Sequence, residues 1–145
     1  MAELDYAYLA EYARVDPGGS LTSVGGSYTH VGVGAVPAQH LLGVAGRIRT
    51  TTDSPGVTLR IVMRDEAKKM SLSLETQLQP EENARVYAGN KVGILFAINT
   101  VMPIVGLGSY EVVVELDDVP VRHLYFTVEH AQPAGREDHL RLPCT

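Results

Sequence analysis

The sequence predicts an all-β protein, an antiparallel sandwich of about eight strands. Three observations carry this. Apolar and polar residues alternate with a period of two through most of the chain, turn residues recur at regular spacing, and little repeats at the helical period. At 145 residues the chain suits one domain, able to remove about 70% of its unfolded surface from water without a metal or disulfide. Residues 1–129 are read as that domain. Residues 130–145 are polar, contain Pro133, Gly135 and Pro143, lack any period, and are expected to form a flexible C-terminal tail.

Leu4 to Val15 carries two competing periods. As a strand, Leu4, Tyr6, Tyr8, Ala10 and Tyr12 share a face; as a helix, Leu4, Tyr8, Tyr12 and Val15 form a stripe. The turn Asp16-Pro17-Gly18-Gly19 and the β-branched, hydroxyl-rich stretch beyond it favour a first hairpin. Val31 to Gln39, with Pro37 and two glycines, reads as an irregular crossing between two sheets. From His40 to Thr52, Leu42, Val44 and Ile48 lie on one face and Arg47 and Arg49 on the other. Val57, Leu59, Ile61 and Met63 then alternate with Thr58, Arg60, Val62 and Arg64. After the loop from Asp65 to Lys69, Leu72, Leu74, Thr76 and Leu78 are expected to face the core, opposite Ser71, Ser73, Glu75 and Gln77.

In Gln79 to Asn90, Pro80, Glu81, Glu82 and Gly89 predict one short helical turn near residues 80–89. Lys91 to Val101 puts Val92, Ile94, Phe96 and Ile98 inward. Because Leu95 and Ala97 make its other face apolar as well, a central strand is expected. The last hairpin is the clearest element. Tyr110, Val112, Val114 and Leu116 alternate with Glu111, Glu115 and Asp117, with Val113 the one apolar exception. Asp117 and Asp118 supply the turn, and Leu124, Phe126 and Val128 return opposite His123, Tyr125 and Thr127.

Gly108 and Tyr110, a Gly-x-Tyr at a strand start, resemble the corner tyrosine of immunoglobulin-like sandwiches, whose phenol reaches back to a nearby backbone group. A wider resemblance rests on YLAEYARVDPGG, LTSVGGSY and GSYEVVVELDDVPVRHLYFTV. Over residues 2 to 129 these resemble a bacterial family of small domains of unknown function, frequent in actinobacteria. The resemblance implies an immunoglobulin-like sandwich, nothing catalytic and no functional residues. Tyr28 stands where a Trp would be expected after the glycines, which keeps an aromatic anchor.

The net charge of −5 argues against nucleic acid as a partner. No stretch approaches the roughly 20 apolar residues of a membrane helix, so no membrane partner is expected. Cys144, the single cysteine, leaves no intramolecular disulfide to form, and a cytoplasmic setting is expected. Histidines 30, 40, 123, 130 and 139 lack metal-binding spacing. No Gly-x-Ser-x-Gly is present, and Gly32-Val33-Gly34 precedes Ala-Val-Pro and not a helix. Alternate carboxylates on the strand holding Glu111, Glu115 and Asp117 lie about 7 Å apart, but a solvated face, or one salt-bridged beside Arg47 and Arg49, explains them better than catalysis. Asp117 and Asp118 read as turn residues before a calcium site. The expectation is a non-enzymatic module without cofactors.

The candidate site is an interface. Tyr6, Tyr8 and Tyr12 would form an aromatic row on the first strand, Leu95 and Val113 are apolar on nominally outer faces, and His123 and Tyr125 point outward from the return strand. These residues predict protein–protein contact, with a protein partner or with a second copy in a homo-oligomer. The alternative is a small-molecule or carbohydrate site in the loops Val31 to Gln39 and Met102 to Ser109.

Overall fold

The computed structural model describes residues 2–131; of the predicted tail 130–145, His130 closes the last strand and the Ala131 amide donates to the Val33 carbonyl at 2.8 Å, and the rest lies outside the described residues. Ten strands form among them, two more than the periodicity predicts, because the first hairpin breaks twice. Its outgoing arm becomes β1 (Glu3–Ala10) and β2 (Tyr12–Val15), separated by a bend at Glu11. Its return becomes β3 (Leu21–Val24) and β4 (His30–Val33), separated around Gly25 and Gly26. The others are β5 (Ala38–Thr51), β6 (Val57–Asp65), β7 (Ser71–Leu78), β8 (Lys91–Ile104), β9 (Gly108–Leu116) and β10 (Val119–His130).

Two sheets face each other, one of three strands in the order β1-β5-β8 and one of five in the order β4-β10-β9-β6-β7. The chain crosses between them from β4 to β5 at residues 34–37, around Pro37 as expected but more briefly than Val31–Gln39, whose ends join β4 and β5. Every ladder is antiparallel except that of β4 with β10. Leu42, Val44 and Ile48 of β5 and Ile94 and Phe96 of β8 meet the inner rows of the larger sheet, Leu59, Ile61 and Met63 of β6 and Val112 and Val114 of β9.

The corner tyrosine takes its expected role. The Tyr110 hydroxyl donates to the Gly106 carbonyl at 2.7 Å and accepts from the amides of Val105 and Gly106 at 3.0 and 3.1 Å. It thereby satisfies the backbone of the connection that changes sheets between β8 and β9. At the far end of β9, Asp117 and Asp118 adopt left-handed φ of 48° and 69°, the geometry of a two-residue hairpin turn. The Asp117 carboxylate accepts from the Thr58 amide at 3.0 Å, and Asp118 pairs with Arg60 at 2.7 Å.

Three expectations are corrected. No helix forms among the described residues; over 80–90 there are two turns, one with the Ala84 amide on the Glu81 carbonyl at 3.0 Å and one closed by a bridge from the Tyr87 amide to the Lys91 carbonyl at 2.8 Å. That segment has no apolar stripe to bury, and a single helical turn does not stand without one. β8 is an edge strand, and β5 is the central one. Finally, β7 is exposed on both faces but for the half-buried Leu78, although its alternation is the cleanest in the chain.

The outer face of the smaller sheet is covered by the β2–β3 hairpin. Asn99 of β8 clamps it, its Oδ1 accepting from the Ala13 amide at 3.0 Å and its Nδ2 donating to the Ala13 carbonyl at 2.8 Å. Ala10, Ala13 and Ala45 are fully buried beneath. No helix among the described residues is long and apolar enough to cross a membrane.

Candidate functional site: a seam between the sheets

The seam follows from the unequal widths of the sheets. β1 packs against β9 and β10, which sets the three-stranded sheet toward the β10 side and leaves the five-stranded one overhanging at β7. Leu72 and Leu74 point inward from β7, yet they are 40% and 36% exposed, because no strand among the described residues continues the smaller sheet over them. A groove of about 450 Å³ results, lined by Val15, Leu74, Thr76, Leu78, Leu95 and Ile98 among others. It continues into a second hollow of about 460 Å³ between the hairpin tip at Pro17 to Gly19 and the loop from Gln79 to Arg85. Tyr110, shortly after the end of β8, pairs with Asp65 at the end of β6, and Ser71 at the start of β7 pairs with Arg64, so the end of β8 lies toward the start of β7 and the two run in opposite directions along the seam.

Among the described residues, both strands that border the seam pair on one side only, β7 with β6 and β8 with β5, apart from the bridge at Lys91. Exposed edges ordinarily carry charges, lysine or proline that discourage pairing. β7 holds one charge, Glu75, and Gly93–Val101 of β8 holds neither charge nor proline. β1, the opposite edge of the smaller sheet, carries Glu3 and Asp5, paired with Arg49 at 3.3 Å and Arg47 at 2.8 Å.

The predicted interface residues fall into separate groups. Leu95 lines the seam. Tyr6 and Tyr8 stack with ring centres 6.4 Å apart on the outer face of the smaller sheet. The Arg47 guanidinium lies 5.2 Å from the Tyr6 ring and 5.2 Å from that of Tyr87, and the Tyr8 hydroxyl donates to Ser23 at 3.1 Å. Tyr12 leaves the row: the Glu11 amide bonds the Val24 carbonyl at 2.9 Å, the chain bends there, and Tyr12 starts the hairpin instead.

Val113, His123 and Tyr125 sit on the outer face of the larger sheet. Val113 is not a surface residue, being 2% exposed, because it pairs with Val62 and His123 beneath the long side chains of that face. Arg64 donates to Glu111 at 2.8 Å, His123 Nδ1 lies 2.7 Å from the same carboxylate, and Arg60 reaches Glu75 and Glu115 at 3.5 and 3.6 Å. The His123 contact first, then Arg64, holds the Glu111 carboxyl below its usual range against the opposing effect of burial. The acidic row is therefore salt-bridged, as expected, but by Arg60 and Arg64; Arg47 and Arg49 serve β1.

At the loop end, Glu11, Tyr28, His30, Gln39 and His40 line a hollow of about 390 Å³. Tyr28 and His40 share a hydrogen bond of 2.7 Å, and Tyr28 packs edge-on against Phe126 with ring centres 5.7 Å apart. Burial raises the Tyr28 phenol and lowers the His40 imidazole from their ordinary pKa values. No group of three or more potential metal ligands gathers among the described residues.

A family model described as a family of unknown function, DUF6941, matches residues 5–129. The chain belongs to DUF6941. That match covers every strand from within β1 to β10 and so includes both borders of the seam. No curated protein matches this DUF6941 chain.

The leucines of β7, with Val15 and Ile98, are what sequence reasoning missed. The signal was present in β8. A strand apolar on both faces reads as central, and it reads equally as an edge that something else covers.

Proposed function

We propose that this DUF6941 protein is a non-enzymatic, cytoplasmic binding module with an immunoglobulin-like sandwich, acting through protein–protein contact at the seam between β7 and β8. One observation carries the reading: Leu72 and Leu74 face inward from an edge strand and remain exposed beside a second edge that carries no charge from Gly93 to Val101. An added strand would pair its backbone with a free edge and set alternate apolar side chains over those leucines, the mode known as β-augmentation. Titration with synthetic peptides alternating Leu or Val with Ser or Thr tests this by amide chemical shifts. Perturbations along Ser71–Leu78 and Gly93–Ile98 are expected. Perturbations confined elsewhere, or none from a chain that is monomeric under the conditions of the titration, would contradict the reading.

A second reading, a small-molecule or carbohydrate site at the loop end, is favoured by the polar hollow around Glu11, His30 and His40. In the same experiment, monosaccharides or other small polar ligands would then shift Val31–Gln39 and leave β7 unmoved.

A further inference from the structure

We propose that the strand filling the seam is β7 of a second copy, in a two-fold dimer whose axis runs along the strands; this rests on the reading of the seam as a strand-accepting edge. β7 and β8 border the seam antiparallel to each other, as the ladder registers of β6 with β7 and β9 require. A half-turn about an axis parallel to them carries the larger sheet of one copy into the layer of the other copy's smaller sheet. β8 then lies beside β7 of the partner, and the direction of each strand makes that pairing antiparallel, the more stable of the two ladder types. Each layer joins the three strands of one copy to the five of the other.

The same rotation stacks the overhangs. Both copies extend β7 beyond their own smaller sheet, so the rows of Leu72, Leu74 and Leu78 meet face to face across the axis. In such an isologous contact a residue near the axis meets its own counterpart. The four edges that border the two seams are paired, and along β7 and Gly93–Val101 of β8 the one charge is Glu75, which points to the outer face, where Arg60 lies 3.5 Å away. An unrelated partner strand would satisfy one edge and leave the other open. A second copy satisfies both, which favours it over a foreign peptide.

Two measurements on the full chain test the dimer. Light scattering behind a sizing column, over a wide dilution range, should give twice the chain mass at high concentration. Leu74→Arg should raise the dissociation constant by about a hundredfold or more while leaving the circular dichroism of the folded chain unchanged. In a Cys144→Ser background, Leu74→Cys should form a disulfide between copies under mild oxidation, and a cysteine replacing the outward-facing Ser73 should not. A wild-type chain that is monomeric at every concentration, or a dimer that Leu74→Arg leaves intact, overturns the proposal. A monomer that still takes up the alternating peptides along β7 and β8 overturns the dimer alone; one that takes up none overturns the strand-accepting seam as well.

Discussion

Leu74 of β7 and Ile98 of β8 border one groove from opposite sheets, and no strand among the described residues spans the gap above them. The alternation that places Leu74 on the inner face is the same that buries Ile61 on the neighbouring strand, where exposure is 0%. Position within the sheet separates the two residues, and it gives them different consequences on mutation.

Leu74→Ser should cost an isolated copy no more than about 1 kcal/mol, as for other exposed sites. Ile61→Ala should cost about 2 to 5 kcal/mol through lost transfer energy and a residual cavity. Urea unfolding of dilute samples checks both. Equal losses would mean that Leu74 is part of the core.

Tyr110→Phe removes a hydroxyl that serves three backbone groups at a buried corner. Leaving the Val105 and Gly106 amides without that acceptor should cost about 1 to 3 kcal/mol. The midpoint of unfolding should fall with an unchanged slope against urea.

Gly46 lies in the middle of β5, where a Cβ would meet the Tyr6 carbonyl oxygen at 2.2 Å and the Phe96 ring at 2.8 Å. Gly46→Ala should destabilise by roughly 3 kcal/mol by forcing β1 or the Phe96 ring to shift. Thermal unfolding would register this as a marked drop in midpoint; a neutral result would contradict the tight approach of β1 to β5.

His40 gives a pH dependence whose sign is fixed by its surroundings. Burial holds its folded-state pKa below the ordinary 6.5, with Glu11 opposing. The unfolded chain therefore takes up the proton first, and the contribution to stability is complete above pH 6.5 and lost as the pH falls through that value toward the folded one. His40→Gln should flatten this slope in urea midpoints measured on either side of pH 6.5. Glu111, whose folded pKa is depressed, contributes a separate loss at lower pH, below its ordinary 4.5.

Much of the fold was legible because it depends on near neighbours. Period-two alternation places β5 to β10, Asp117 and Asp118 turn the last hairpin, and Gly108 with Tyr110 sets the corner. The breaks at Glu11 and Gly25 were not legible, since they arise where the hairpin leaves β1 to cover Gly43 and Ala45 of the smaller sheet. Strand order was hidden for the same reason. Lys91 to Ile104 has the composition of a central strand, and only its position opposite the β6–β7 margin makes it an edge. The candidate interface was accordingly legible at Leu95 alone, while Leu72 and Leu74 looked like ordinary core.

The most direct test of the seam is backbone hydrogen exchange along β7 and β8, compared between concentrated and dilute wild-type protein and with Leu74→Arg. The free-edge amides of Ser71–Leu78 and Gly93–Ile98 should be protected when concentrated and should lose that protection on dilution or in the variant, while β6 and β9 stay protected throughout. Fast exchange along both edges in all three samples would contradict a seam that is closed by a second copy.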